Sequence, residues 1–160
     1  EGSHIERVAQ LTQKTNQFNL TTRRYTESTI EKFVGDKNSL VITGEVSDKF
    51  GHRGLTAVAI VSLKGSSAYI DTLLLSCRIL GRRIEDRFVL EILRILEERD
   101  VTFIESEFIH TKKNQQVASF WDKFGFVSKN KGDSNDKSYG LNLTELKQVQ
   151  ETNFIGVKYG

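Results

Sequence analysis

The run Leu73-Leu74-Leu75-Ser76-Cys77-Arg78-Ile79-Leu80-Gly81-Arg82-Arg83-Ile84 decides how this 160-residue chain folds. It closes a near-continuous apolar stretch, residues 68–75, which is too rich in apolar side chains for an exposed sheet edge. The pattern breaks over residues 76–83. Ile84, Phe88, Ile92, Ile95 and Leu96 then mark the buried side of an amphipathic helix. A short loop between a buried strand and a helix turns several backbone N–H groups toward one point, where the helix N-terminus adds partial positive charge. Arg78, Arg82, Arg83 and Arg87 outnumber Glu85 and Asp86 there. A phosphate or pyrophosphate group suits this loop, with Leu75, Ser76, Arg78, Ile79, Leu80, Gly81, Arg82 and Arg83 as its candidate ligands. The alternative is a capped strand–helix connection with its arginines on a solvated face.

Upstream, Val8, Leu11, Thr15 and Phe18 share one helical face, and residues 20–25 predict a first strand. Ser28 followed by Glu31 is a capping-box pattern for a helix carrying Ile30, Phe33 and Val34 and stopping at Gly35. Residues 40–46 and 55–63 predict strands joined by a turn over residues 48–54, and Gly65-Ser66-Ser67 makes the next turn. Downstream, residues 101–108 predict a strand. Asn114 then precedes a helix with Val117, Phe120, Trp121 and Phe124 on one face, capped by Gly125. After a polar loop over residues 129–137, Tyr139, Leu141 and Leu143 alternate as a strand, and residues 154–157 predict a last one. Meander strands followed by a strand–helix–strand–helix–strand unit give an α/β fold: a mixed, mostly antiparallel sheet with helices on both faces.

Composition narrows the function. Lys plus Arg (23) against Asp plus Glu (21) leaves a net charge of +2, which argues against a strongly basic nucleic-acid binder. With 38% hydrophobic and 28% charged residues the chain is globular, and no apolar run approaches the roughly 18 residues of a membrane span. One cysteine excludes an internal disulfide, and one Cys with three scattered His gives no metal-ligand spacing. Proline and methionine are both absent, and Gly2-Ser3-His4 has the look of a cleaved tag. The expectation is one domain spanning residues 1–160, excised from a longer, cytoplasmic protein.

In order behind the Arg78-x-x-Gly81 loop, the segment Asn114-x-x-Val117-x-x-x-Trp121-x-x-x-Gly125-Phe126 resembles the last helix of the GNAT acyltransferase superfamily. The superfamily resemblance implies that the loop cradles the pyrophosphate of coenzyme A and that the sheet splays between two central strands to admit the pantetheine arm. A closer resemblance spans most of the chain. Residues 7–25 (RVAQLTQKTNQFNLTTRRY), Asp48-Lys49-Phe50-Gly51, residues 70–82 (IDTLLLSCRILGR) and Thr111-Lys112-Lys113-Asn114 are similar to the C-terminal domain of FkbH-like proteins. Those couple a HAD-type phosphatase-like half to a GNAT-like half. The resemblance implies loading of a glyceryl unit, from 1,3-bisphosphoglycerate, onto the phosphopantetheine thiol of an acyl carrier protein in polyketide-type biosynthesis. The implied partners are that carrier and the HAD-type domain of the same parent chain.

Two positions depart from the wider superfamily. Trp121 stands where a tyrosine often serves as general acid, and indole has no titratable group. Arg83 stands where the loop often has Gly or Ala. Both make simple amine acetylation from acetyl-CoA a weaker expectation than thioester exchange. Cys77, beside Arg78 and ahead of a helix start, has the setting of a lowered-pKa nucleophile that accepts the glyceryl group as a thioester; the competing reading is a buried apolar filler. His110 and Asp48 are further candidate catalytic groups, each with a structural alternative, while a turn or buried hydrogen-bond role is expected of Asp71. Asn114 is expected to help position the arm, and Arg23, Arg24, Lys112 and Lys113 to meet an acidic carrier. A conventional N-acetyltransferase and a non-catalytic carrier-docking module are the rival functions.

Overall fold

The computed structural model describes residues 2–47, 53–76, 84–129 and 135–144. Helices α1 (Gly2–Lys14) and α2 (Glu27–Gly35) lead into strands β1 (Ser39–Ser47), β2 (Arg53–Lys64) and β3 (Ser67–Leu75). Helix α3 (Ile84–Glu98) and β4 (Phe103–Phe108) follow, then two 3-10 turns (Gln115–Val117 and Phe120–Phe124) and strands β5 (Val127–Ser128) and β6 (Lys137–Asn142). The six strands lie in the order β1-β2-β3-β4-β6-β5. All neighbours are antiparallel except β3 and β4, which run parallel. The mixed, mostly antiparallel sheet expected from the sequence is therefore present, and β3 is central in it.

Each face of the sheet is apolar, and each is covered. Val58, Ile60 and Leu74 face α1 and α2, meeting Val8, Leu11 and Ile30. Ala57, Ala59, Val61, Leu73 and Leu75 face α3 and the 3-10 turns, meeting Phe88, Ile92, Leu96, Phe120 and Trp121. Alternation along β2 serves both layers at once, which explains the near-continuous apolar runs of the two central strands. Along β3 the alternation slips by one residue. Val61 pairs with Ile70 and Ile60 with Thr72, so Asp71 is an extra residue in the strand, a β-bulge. The slip turns Ala68 and Ile70, then Leu73 and Leu75, to the same face.

Three local expectations change. Residues 20–25 form no strand; Asn19 alone bridges Leu74, and the extended run stops because the Asn19 side chain accepts the Thr22 N–H at 2.9 Å while Thr22 takes φ 54°. The cap of α2 is Thr26 rather than Ser28: its hydroxyl accepts the Thr29 N–H, an ST-type cap that starts the helix two residues earlier. Residues 115–124 make two 3-10 turns in place of one α-helix, with Val117 N–H bonded to Asn114 and Asp122 N–H to Ser119. The three-residue period brings Val117 and Phe120 onto the core together. Gly125 does end this segment, in the left-handed conformation at φ 85°. The turn expected up to residue 52, part of the 129–137 loop and the strand expected at 154–157 lie outside the described residues. Among the described residues no helix is long and apolar enough to cross a membrane.

Ile92 is fully buried in the α3 layer. Ile92→Ala is expected to lower unfolding stability by about 2–5 kcal/mol in a urea melt; a loss below about 1 kcal/mol would show that the α3 layer is not packed as described.

Candidate functional site

The parallel pairing of β3 and β4 lasts for only three positions, Ser67–Phe103, Ala68–Ile104 and Tyr69–Glu105. Beyond Tyr69 the strands diverge into a fork that opens toward the end of β3 and the start of α3. Divergence inside a core exposes strand-edge N–H and C=O groups with nothing to bond. The chain's own residues 18–20 fill the gap. The Leu20 N–H donates to the Leu73 carbonyl at 3.1 Å, and the Leu75 N–H donates to the Phe18 carbonyl at 3.0 Å. From the other prong, the Ile109 N–H donates to the Leu20 carbonyl at 2.8 Å. Leu20 thus sits as a strand one residue wide between β3 and the end of β4, and Phe18 and Leu20 join the α3-side core.

Asn114 locks this arrangement. It is fully buried, and its Nδ2 donates both to the Asn19 carbonyl at 3.0 Å and to the Ile109 carbonyl at 2.9 Å. Its Oδ1 accepts the Thr111 N–H at 2.8 Å. The Asn114 amide, expected to position a bound arm, is bonded here to the segment in the fork and to the chain end of β4. Of the loop residues expected to cradle phosphate, Leu75 and Ser76 are described, and their N–H groups are committed to Phe18 and to the Thr56 carbonyl (2.7 Å). Arg78, Ile79, Leu80, Gly81, Arg82 and Arg83 lie outside the described residues, as do Cys77, Asp48 and His52. His110 follows β4 on the surface, its backbone N–H bonded to the Asp136 carboxylate at 2.8 Å and its ring edge-on to Phe108.

A second set of polar groups, beside the fork, gathers at the Asp71 bulge. Tyr25 donates to its carboxylate at 2.6 Å and Thr72 at 2.8 Å, and Arg23 reaches it at 3.2 Å. The Asp71 carbonyl accepts from the Thr21 hydroxyl at 2.8 Å and from Arg23 at 3.0 Å. Arg23 also bonds the Tyr69 hydroxyl (2.6 Å) and Glu107 (3.3 Å), while Tyr69 donates to Glu107. Asp71 has the hydrogen-bonding role expected of it. Arg23 does not reach out to a partner: burial opposes its charge, but its bonds to Tyr69, Asp71 and Glu107 outweigh that and hold its pKa above the ordinary value. Burial, reinforced by the bond to Glu107, pushes the Tyr69 phenol up to about 12; burial and Asp71 raise that of Tyr25 as well. Arg24 is spent on the last carbonyls of α1, bonding Thr12 at 2.7 Å and Thr15 at 2.8 Å. Lys112 and Lys113 stand exposed and outside these contacts.

No sequence signal announces that Tyr69, Glu107 and Arg23 meet. Glu107 and Tyr69 sit on different strands; the register pairs Tyr69 with Glu105, and Glu107, two residues on, meets the Tyr69 hydroxyl through side chains alone. Trp121 is core: it is 1% exposed, packs on Phe126, and gives its indole N–H to the Glu107 carbonyl at 3.2 Å.

Two grooves flank the first turn of α3. One, of about 330 Å³, runs between Glu85 and the 3-10 turns at Gln116, Ser119, Phe120 and Lys123, with Phe18 in its wall. The other, of about 420 Å³, lies toward β1 and β2 between Glu45, Thr56, Arg87 and Phe88.

No protein-family model and no curated protein matches the chain. Solved structures do. The ribosomal-protein-S18-alanine N-acetyltransferase from Escherichia coli is similar with a TM-score of 0.63 at 12% identity, over 89% of each chain. The chain has the GNAT fold. The PaiA N-acetyltransferase from Thermoplasma acidophilum in complex with coenzyme A is similar with a TM-score of 0.53 at 18% identity, over 74% of this chain and 80% of that one. An aminoglycoside 6'-N-acetyltransferase complexed with coenzyme A gives 0.56 at 10% identity, over 73% and 79%. In this GNAT-fold chain the fork as it stands does not fit a pantetheine arm, because Phe18 and Leu20 already bond its β3 edge. The groove beside Phe18 is open.

The phenol shifts fix a pH dependence. A folded-state pKa raised above 10 contributes stability that is complete below pH 10 and is lost as pH rises through the folded value. The melting temperature of the wild-type chain is expected to fall between pH 10 and pH 12. Tyr69→Phe is expected to be less stable at neutral pH and to fall less steeply over that window. Parallel wild-type and variant curves would show that Tyr69 is not held by Glu107 as described.

Proposed function

We propose that this chain is the acyltransferase domain of an FkbH-type protein, which passes a glyceryl-type acyl group to the phosphopantetheine thiol of an acyl carrier protein. The observation that supports it most is the GNAT-type parting of a parallel pair after three positions, with a groove beside the first turn of α3 that touches the segment filling the gap at Phe18. The basic loop over residues 78–83 supplies guanidinium forks for the phosphate end of the phosphopantetheine arm, and Lys112 and Lys113 supply exposed positive charge for an acidic carrier.

Chemistry by thioester exchange needs a nucleophile more than it needs a proton donor on the leaving group. In this reading the Cys77 thiolate attacks the acyl carbon of a glyceryl acyl phosphate, the mixed anhydride at one end of 1,3-bisphosphoglycerate. The S–C bond forms, the C–O bond to phosphate breaks, and phosphate leaves with the electron pair. The carrier thiolate then attacks the same carbon and Cys77 departs as thiolate, so no net proton or electron is left over. Trp121 supports exchange over amine acetylation, because its single N–H is already donated to Glu107 and it has no proton to give.

Intact-mass analysis of this chain, incubated with its HAD-type partner, acyl donor and holo-carrier, provides the test. A glyceryl adduct is expected on Cys77 and then on the carrier, and Cys77→Ser is expected to abolish the first or convert it to a stable ester. Transfer of acetyl from acetyl-CoA to amines, with no carrier loading, would replace this reading with that of an N-acetyltransferase. Carrier binding without any acyl adduct would replace it with that of a docking module.

A further inference from the structure

We propose that residues 18–20 are a releasable strand, which keeps the fork closed until the amide-bearing arm of a thiol substrate takes its place on β3; the inference rests on the acyl-transfer reading above. The hold is local. It consists of three backbone bonds, two of which form the Asn19–Leu74 bridge, and of the burial of Phe18 and Leu20, with non-strand chain on both sides. The Asn114 amide acts as a latch from the far side of the fork. Thr21 adds a second hold through the Asp71 carbonyl.

The groove reaches this segment at Phe18. Phe18 lines its wall and stacks edge-on to Phe120 at 5.1 Å, so an arm lying in the groove touches the first residue of the segment. A pantetheine arm carries two amides on a linear chain and can therefore make strand-type bonds with a sheet edge, as an added peptide does. The Leu73 carbonyl and Leu75 N–H now pair with Leu20 and Phe18, so arm and peptide exclude one another. The exchange is also self-limiting. If residues 18–20 left without a replacement, both groups would be buried without partners, which disfavours an empty fork. The fork therefore opens when an arm is there to fill it.

Amide hydrogen exchange on the whole chain, with free coenzyme A as probe, separates the outcomes. Saturating coenzyme A is expected to speed exchange at Leu20 and Ile109, which lose their partners, by tenfold or more. Leu75 stays protected by its new acceptor, and the β1–β2 ladder is unchanged. Thr21→Val and Asn114→Asp each weaken one hold on the segment, and each is expected to tighten coenzyme A binding by about three- to tenfold by raising the open fraction. If Asn114→Asp proves poorly folded, the near-isosteric Thr21→Val carries the test. Coenzyme A binding with Leu20 and Ile109 exchange unchanged or slowed, and with variants no tighter, would overturn the releasable strand while leaving acyl transfer standing. Failure of coenzyme A and holo-carrier to bind the wild-type chain or either variant would remove both.

Discussion

Two parallel strands that separate within a protein core leave amides and carbonyls facing a gap, and those groups must bond to something. A buried backbone group left without a partner costs roughly 1–3 kcal/mol, so a bare fork between β3 and β4 is not a stable resting state. This requirement organises the middle of the molecule. It places Leu20 between Leu73 and Ile109, puts Phe18 against Phe120, and gives Asn114 a buried position where all its polar atoms are bonded. Remove the separation of the strands and none of these residues has a reason to be where it is.

The same connection between α1 and α2 meets a second requirement a few residues later. The bulge at Asp71 lets β3 keep its apolar side chains inward after the register slips, and it leaves the Asp71 carbonyl to the connection between α1 and α2. Thr21 and Arg23 bond that carbonyl, and Arg23 then has its own burial to offset, which Tyr69, Asp71 and Glu107 accomplish. A loop of eight residues, 18–25, thus closes the fork and completes the bulge. Loosening either end is felt at the other, since Leu20 and Thr21 are adjacent.

How much of this is legible in the sequence follows from the range of the forces involved. The strands and α3 show because burial on one face or two imposes a period that a single segment carries in itself, as Ile84 to Leu96 and the apolar runs of β2 and β3 do. Gly125 shows because a left-handed cap favours one residue type. The start of α2 is misjudged by two residues because Thr26 and Ser28 offer nearly equal hydroxyl caps, and only the approach of the preceding chain chooses between them. Residues 20–25 have the composition of a strand, yet Asn19 turns the chain through a bond to Thr22 that a propensity scale does not weigh. Arg23 and Arg24 look like surface charge until tertiary contacts half-bury one and set the other on the end of α1. Asn114, which in the local pattern only precedes a helix, answers to Asn19, 95 positions away. Nothing near either residue encodes that pairing.

The choice of Trp121 fits the same scheme. A tyrosine there would bring a hydroxyl needing a donor and an acceptor, whereas the indole brings one donor and a larger apolar surface. The donor goes to the Glu107 carbonyl and the ring packs on Phe120 and Phe126. Glu107 is thereby fixed from both directions, its carbonyl by Trp121 and its carboxylate by Arg23 and Tyr69. The far prong of the fork is rigid for this reason, and so is β3, paired along its length with β2. Between these prongs, residues 18–20 pair with β3 through one bridge, whereas β3 is paired with β2 along its length. Of the elements that meet at the fork, that segment has the shortest ladder, and it is the one an incoming chain would displace.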